Sequence, residues 1–432
     1  MILAEGKIHP TSEQTHLLDG LEEKINYTLA HSRLSPEVVV NAIDRFGKLI
    51  RAGDLDGFIE QSGIGPNVKK MKDSVKLLCR EYLEHKLRTE LGEDFFVWHD
   101  SQPVLGLSGV RTIPVPLGTL FHIAAGNMDA LPASTVAEGL LTGNVNILKL
   151  PEADNGLTIA ILAKLIEIEP ILAEFIYVFD TPSSDIAAMR KMAAMADGIV
   201  VWGGDAAVSS VRTLAPAGVK LIEWGNRLSF AYISGDWSNK TEEMSALACH
   251  IVTTEQLLCR SCQMIYLDTD SMENIENFCR VFLPMLQSAR NSNPITDIGA
   301  LEEITLKEYN AELEAVISGN SGQREALYGG RLCCLTACED STLELSDMFG
   351  RVPVKRLPRE KIMRVLREQK GHLQTAGLIC SEEDRPALTD LLIRSGINRV
   401  TRAGDMSSAF AGESHDGEYS LRRYVRMANV QL

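Results

Sequence analysis

The stretch TLFHIAAGNMDALPASTVAEGLLTGNVNILKL, Thr119 to Leu150, sets an apolar run, a helical pattern and a second apolar run end to end. Two such runs joined by a helix predict a βαβ unit, because parallel strands cannot be joined by a tight turn. The pattern continues outward. FIYVFD, GIVVW and VKLIEW add three more runs, with NGLTIAILAKLIEIEP, SSDIAAMRKMAAMA and DAAVSSVRTLAP as helices between them. Runs of this kind belong to strands of a parallel sheet buried on both faces. Such a sheet binds ligands beyond the carboxyl ends of its strands. That rule marks Asn127 after the first run, Lys149 and Glu152 after the second, Gly203 and Gly204 after the fourth, and Glu223 within the fifth. A structural sheet needs no such set of polar groups on one rim, so the rim is expected to be a site.

The gross properties narrow the classes. A chain of 432 residues is long for one core and predicts two or three units. A composition of 45% hydrophobic and 23% charged residues is that of a soluble globular protein. The formal net charge of −15 argues against nucleic acid or an anionic membrane as the main partner, while a local cationic pocket still admits an anionic ligand. The best apolar stretch, LTIAILAKLIEIEPILAEF, is broken by Lys164, Glu167, Glu169 and Pro170, so no membrane span is expected. The opening MILAEGKIHPTSEQ lacks the basic and apolar regions of a signal peptide, and the nine cysteines form no regular framework. The expectation is a cytoplasmic protein with free thiols.

Before the sheet, residues 11–93 are mostly helix-patterned and charged, and DFFVWHDSQPVLGLSGVRTIPVPLG reads as one or two hairpins. After it, α/β alternation resumes to about residue 400 and ends on the strand-like GESHDGEYSLRRYVRMANVQL. Within this second half TTEQLLCRSCQMIYLD places Cys259 and Cys262 just ahead of a strand. Zinc would need a second pair of ligands, and CCLTAC has the wrong spacing for one. A thioredoxin-like couple would open a helix, whereas CRSC leads into a strand. A single nucleophile fits a thiolate that attacks thioesters or carbonyls, with Asn127 to hold the oxyanion and Glu223 to handle the proton. Spacing alone favours the commonest fate of a cysteine, a buried core thiol.

The motifs VPLGTLFHIAAGNMDALPASTVAEGLLTGNVNILKLP, YVFDTPSSD, VVWGGD, IEWGNRLSFAYIS, LQTAGL and SHDGEYSLRRYV resemble the LuxC-type (long-chain fatty) acyl-CoA reductases, a branch of the aldehyde dehydrogenase superfamily. The resemblance runs from about residue 110 to the C-terminus. It implies an aldehyde dehydrogenase-like α/β fold: a parallel-sheet nucleotide-binding domain, an α/β catalytic domain and an oligomerisation hairpin. The expected division is residues 1–93 and 117–227 for the cofactor, 94–116 and 406–432 as oligomerisation or bridging segments, and 228–405 for catalysis.

Position by position, the resemblance makes Cys259 in EQLLCRSCQ the nucleophile, with Cys262 a bystander. Glu223 in EWGNR takes the place of the general-base glutamate, and Asn127 that of the oxyanion donor. Lys149 and Glu152 would meet the adenosine ribose, and Gly203 and Gly204 the pyrophosphate. Asp347 and Phe349 in SDMFGR would meet the nicotinamide ribose and ring, although the acid at 347 is one methylene shorter than the superfamily's glutamate. The implied cofactor is NADPH, with NADH the alternative because Glu152 would repel a 2′-phosphate. The implied reaction is reduction of an acyl-CoA or acyl-carrier thioester to an aldehyde through an acyl-cysteine, with no metal. The implied partners are acyl-transferase or synthetase proteins and further copies of the chain. Oxidation of an aldehyde and a non-catalytic scaffold are the rival readings. Arg227 and Arg260 flank the two motifs and are read as surface ion-pair residues or as contacts to anionic ligand groups.

Overall fold

The computed structural model describes residues 1–57, 75–93, 95–100, 109–124, 130–152, 154–295, 298–317, 326–330 and 332–431. The chain divides into two compact units, Met1–Gly225 with Phe410–Leu432, and Asn226–Ala409.

The first unit carries β1 (Ile2–Ala4), β2 (Lys7–His9), β3 (His99–Asp100), β4 (Val110–Pro116) and β5 (Thr119–Ile123). It continues with β6 (Val145–Lys149), β7 (Ile176–Phe179), β8 (Gly198–Trp202) and β9 (Lys220–Trp224). The second unit carries β10 (Leu228–Ile233), β11 (Cys262–Leu267), β12 (Ala326–Gly330) and β13 (Cys333–Cys338). β14 (Arg351–Arg356), β15 (Leu373–Ile379) and β16 (Arg399–Arg402) complete it, and β17 (Val425–Gln431) returns to the first unit.

The five apolar runs are β5 to β9. They lie parallel in the order β7-β6-β5-β8-β9, with crossover helices Leu131–Leu141, Leu157–Ile168, Ile186–Ala194 and Asp205–Leu214. The order reverses at β5, which is the switch point where such sheets open a crevice. β6 is buried along its whole length, as a strand covered on both faces must be. Close packing here leaves no room for a side chain at Gly139, where a Cβ would run into Asn146 Oδ1. The opening residues, to which the sequence pattern assigned no element, form the hairpin β1–β2. It extends the sheet through the antiparallel pair Leu3↔Val178.

A separate antiparallel sheet, β17-β4-β3, pairs the last strand with Val110–Pro116 in the register Ala428↔Ile113. The expected hairpin therefore has β3 and β4 as its described arms. Residues 94 and 101–108 of that expectation lie outside the described residues.

In the second unit the order is β12-β13-β14-β11-β10-β15-β16, parallel except for β12. Helices Thr241–Thr254 and Met272–Ser292 cover one face, burying Leu247, Ile251, Phe278 and Phe282. Ile362, Leu366, Leu388 and Leu392 cover the other. Because β11 starts at Cys262, the thiol loop lies at the amino-terminal edge of this sheet, the opposite edge to the one that carries the rim in the first unit. Among the described residues no helix is long and apolar enough to cross a membrane.

Candidate active site

On the first unit, register brings the rim together. Lys149 pairs with Ile123 and Phe179, Ile123 with Val201, and Val201 with Glu223. Laterally paired residues share a face, so Lys149 and Glu223 stand on one face, three strand steps or roughly 14 Å apart. Asn127 belongs to residues 125–129, outside the described residues.

Lys149 is only 3% exposed and its Nζ donates to Ser183 Oγ at 3.0 Å. Burial pulls its ammonium below the ordinary lysine range, and the carboxylates of Glu152 and Asp180 oppose that pull. A buried cation with a hydroxyl neighbour and two nearby acids suits a ribose diol. Gly203 donates its N–H to Trp224 O at 3.1 Å, and Gly204 caps the helix Asp205–Leu214. A Cβ at Gly204 would meet nothing within 4 Å, so a phosphate could approach the unpaired N–H groups of the first turn closely. These residues fit a dinucleotide.

Glu223 has a partner that no motif announces. Arg212, in the last turn of that helix, donates Nε to Oε1 and Nη2 to Oε2, both at 2.6 Å. One register step on, Trp202 and Trp224 point to the opposite face. Their ring centroids are 5.5 Å apart, and His415 sits 5.0 Å from each.

On the second unit, the two thiols part company. Cys259 is exposed, whereas Cys262 is fully buried and burial pushes its thiol up to about 12. The difference is built by the loop. Helix Thr241–Thr254 ends in two successive left-handed residues, Glu255 and Gln256, with φ of 49° and 59°. Each costs on the order of 1–2 kcal/mol for a residue with a Cβ, so tertiary contacts must hold them. They do. Arg290, 4% exposed, grips both oxygens of Glu255 at 2.6 and 2.7 Å. Buried Gln256 donates to Cys262 O at 3.0 Å and accepts the Gly350 N–H at 2.9 Å. Phe349 N–H donates to Glu255 O at 3.1 Å, and Ser346 reaches Gln263 through both its N–H and its hydroxyl.

SDMFGR is thus knitted along the thiol loop. Met348 and Phe349 are left-handed too, with φ of 64° and 51°. The Phe349 ring is buried and the Asp347 side chain is exposed, 3.9 Å from Arg351. Ser229 finishes the clamp. The ladders on both sides of β10 slip in register at this point, and its Oγ donates to Cys259 O at 2.7 Å while accepting Thr375 N–H at 3.1 Å. CCLTAC is strand β13, with its thiols buried. Among the described residues no group of three or more histidine, cysteine, aspartate or glutamate side chains could hold a metal ion.

The family model described as acyl-CoA reductase (LuxC) matches residues 34–427. The chain belongs to that family. It is 25% identical over 387 residues to a long-chain acyl-protein thioester reductase of Vibrio harveyi, covering 88% of this chain and 78% of that protein. It is 25% identical over 321 residues to long-chain acyl-protein thioester reductase 2 of Photobacterium leiognathi, covering 72% of this chain and 63% of that one. The chain thus spans less than two thirds of the Photobacterium relative. Among solved structures, bifunctional proline utilization A (PutA) matches with a TM-score of 0.72 at 16% identity, over 98% of this chain and 45% of that one. Lactaldehyde dehydrogenase from Escherichia coli matches at 0.67 and 14%, over 98% and 92%. The fold of this LuxC-family chain is aldehyde dehydrogenase-like.

Sequence reasoning missed Arg212, Ser229, Arg290 and the double role of Gln256. The notable signal was the glutamine beside the thiol motif. Arginine and serine at those positions carry no pattern, because their partners lie on other elements of the chain.

Proposed function

We propose that this chain reduces an acyl thioester, an acyl-CoA or acyl-protein with a fatty chain, to the aldehyde through an acyl-cysteine on Cys259. The observation that supports this most directly is the exposed thiol of Cys259 on a loop clamped by Gln256, Arg290 and Ser229, beside a second thiol withdrawn into the core. Cys259 Sγ attacks the carbonyl, Asn127 donates to the oxyanion, and collapse breaks the bond to the leaving thiolate. Lys149 and the Gly203–Gly204 turn would hold the nicotinamide dinucleotide, which would supply the hydride. The thiohemiacetal then releases aldehyde and restores the thiol. Asp347 and Phe349 would meet the nicotinamide ribose and ring, and the Phe349 N–H also braces the thiol loop at Glu255 O. Self-association and acyl-transferase or synthetase partners in the cytoplasm belong to the same reading.

The family resemblance favours NADPH. A second reading, NADH, is favoured by the two carboxylates acting on Lys149, which would repel a 2′-phosphate. Both nucleotides belong in the assay.

The test is to incubate the protein with decanoyl-CoA, map the adduct by mass spectrometry, then add nucleotide and measure aldehyde. The expected adduct sits on Cys259, and Cys259→Ala loses adduct and aldehyde together. Adduct or turnover surviving in Cys259→Ala would exclude the mechanism. Acyl-CoA-dependent turnover also separates reduction from a scaffold role.

A further inference from the structure

The chain carries 58 acids against 43 lysines and arginines, yet one stretch of the second unit reverses that balance. KRLPREKIMRVLREQK, Lys355 to Lys370, holds seven cations and two acids. It leads from β14 to β15 as a short helix, Ile362–Leu366, with a 3-10 turn at each end, Arg359–Lys361 and Arg367–Gln369. Ile362 and Leu366 pack into the core, so the other side faces solvent. There Lys361, Arg364, Arg367 and Lys370 recur at every third residue, and all four are exposed. Side chains three apart stand in line along a 3-10 turn and are neighbours on an α-turn, so the four form a ridge.

The ridge is short of counter-charge. Lys361 donates to Asp270 at 2.6 Å. Arg364, Arg367 and Lys370 make no side-chain ion pair or hydrogen bond among the described residues. Three acids on and just before the neighbouring helix Arg385–Ser395 are already taken: Asp384 by Arg359, Glu382 by Arg385 and Asp390 by Arg394. Like charges at this spacing repel and cost stability, which points to a partner rather than to the fold.

Shape and position say which partner. Small anions take concave sites that bury most of their surface, whereas cations on an exposed ridge meet a protein surface of opposite sign. A bilayer would also face the rest of a chain whose net charge is −15. The ridge ends towards the thiol loop of the same unit. After Lys370 come Gly371, whose carbonyl accepts from Arg227 Nη1 at 2.7 Å, and His372, whose carbonyl accepts the Leu228 N–H at 2.7 Å. The residue after Leu228 is Ser229, which donates to Cys259 O. That path is on the order of 20 Å, the span of about six extended residues.

We propose that this ridge docks a small acidic protein that carries the acyl chain as a thioester on a flexible arm and presents it to Cys259. The proposal rests on the acyl-cysteine reading and names its donor. The acyl C–S bond to the carrier breaks as the bond to Cys259 Sγ forms, and the carrier leaves as a thiol with the proton that Cys259 gives up.

The experiment combines Arg364→Glu, Arg367→Glu and Lys370→Glu in one full-length variant, with thermal unfolding to check its fold. The donors are decanoyl-CoA and an acidic acyl carrier protein loaded with decanoate. The variant is expected to lose at least tenfold in kcat/KM with the carrier, through KM, and to stay within twofold of native with decanoyl-CoA. Raising the salt from about 50 to about 300 mM should weaken use of the carrier by the native protein and leave the variant unchanged. Carrier turnover within twofold of native overturns the proposal. So does an equal loss with both donors, which would assign the ridge to coenzyme A or to the fold. Loss of binding to phosphatidylglycerol vesicles with carrier turnover intact would assign it to a bilayer and overturn the proposal as well. If neither donor acylates the native protein, the acyl-cysteine reading falls by itself. Docking is then decided by the anisotropy of labelled carrier with Cys259→Ala, with and without the ridge substitutions: at least tenfold weaker binding in the ridge variant upholds it, and equal or absent binding overturns it.

Discussion

The imidazole Nε2 of His250 accepts the backbone N–H of Cys262 at 3.3 Å, and Ser407 Oγ lies 3.4 Å from Nδ1. An accepting Nε2 carries no proton, so the hydrogen sits on Nδ1, facing Ser407. Burial pulls His250 down to about 4, and His122, locked between Thr135 and Asn146 in the other unit, to about 4 as well.

Acid should therefore loosen both units. For each histidine the folded value lies below the unfolded value of about 6.5, so the unfolded chain takes up its proton first as pH falls. Stability is full above pH 6.5 and is lost progressively down to about pH 4, on the order of 3 kcal/mol per histidine. Urea midpoints across that window measure it. His250→Gln, which can still accept from Cys262, should flatten the slope by one proton, and an unchanged slope would count against the assignment.

The thiols should sort by chemistry. Among the nine cysteines only Cys249 and Cys259 are exposed. Brief iodoacetamide treatment at pH 7.5, read by peptide mass, should modify these two and spare Cys262. Prior incubation with decanoyl-CoA should protect Cys259 alone. Cys262→Ala should keep the protection and cost about 1–2 kcal/mol of stability for the small cavity.

Gln256→Ala should act on two loops at once. It leaves the buried Cys262 carbonyl and the Gly350 N–H without their partner, about 2–4 kcal/mol in total at the usual cost of unsatisfied buried groups. Thermal unfolding gives the stability loss, and the acylation rate should fall further than it does in Cys262→Ala. Equal acylation rates in the two variants would detach the clamp from the nucleophile.

Glu152→Gln should improve binding of the phosphorylated nucleotide. Removing one of two carboxylates that act on Lys149 should tighten NADPH by roughly three- to tenfold and change NADH little, with the difference shrinking at high salt. Nucleotide fluorescence titration reads both constants. A parallel change for the two nucleotides would place Glu152 away from the 2′ position.

What could be read along the chain was what depends on neighbours along the chain. The five apolar runs from Thr119 to Trp224, the helices between them and the strand after CRSC each bury a face whose period is written in the local sequence. So the parallel sheet, its rim with Lys149 and Glu223, and the thiol loop were legible, with the family motifs adding roles. The hairpin Ile2–His9 was not, because three-residue strands carry too little pattern and take their stability from an edge supplied by residue 178. Nor was the choice between Cys259 and Cys262, which have the same chemistry and lie three positions apart. Burial separates them, and burial follows from where β11 begins and from the grip of Gln256, Arg290 and Ser229. Arg212 at Glu223 is the same kind of fact. Periodicity determines which face of an element turns inward, but the partner a side chain meets depends on the path of the whole chain, which only the tertiary structure decides.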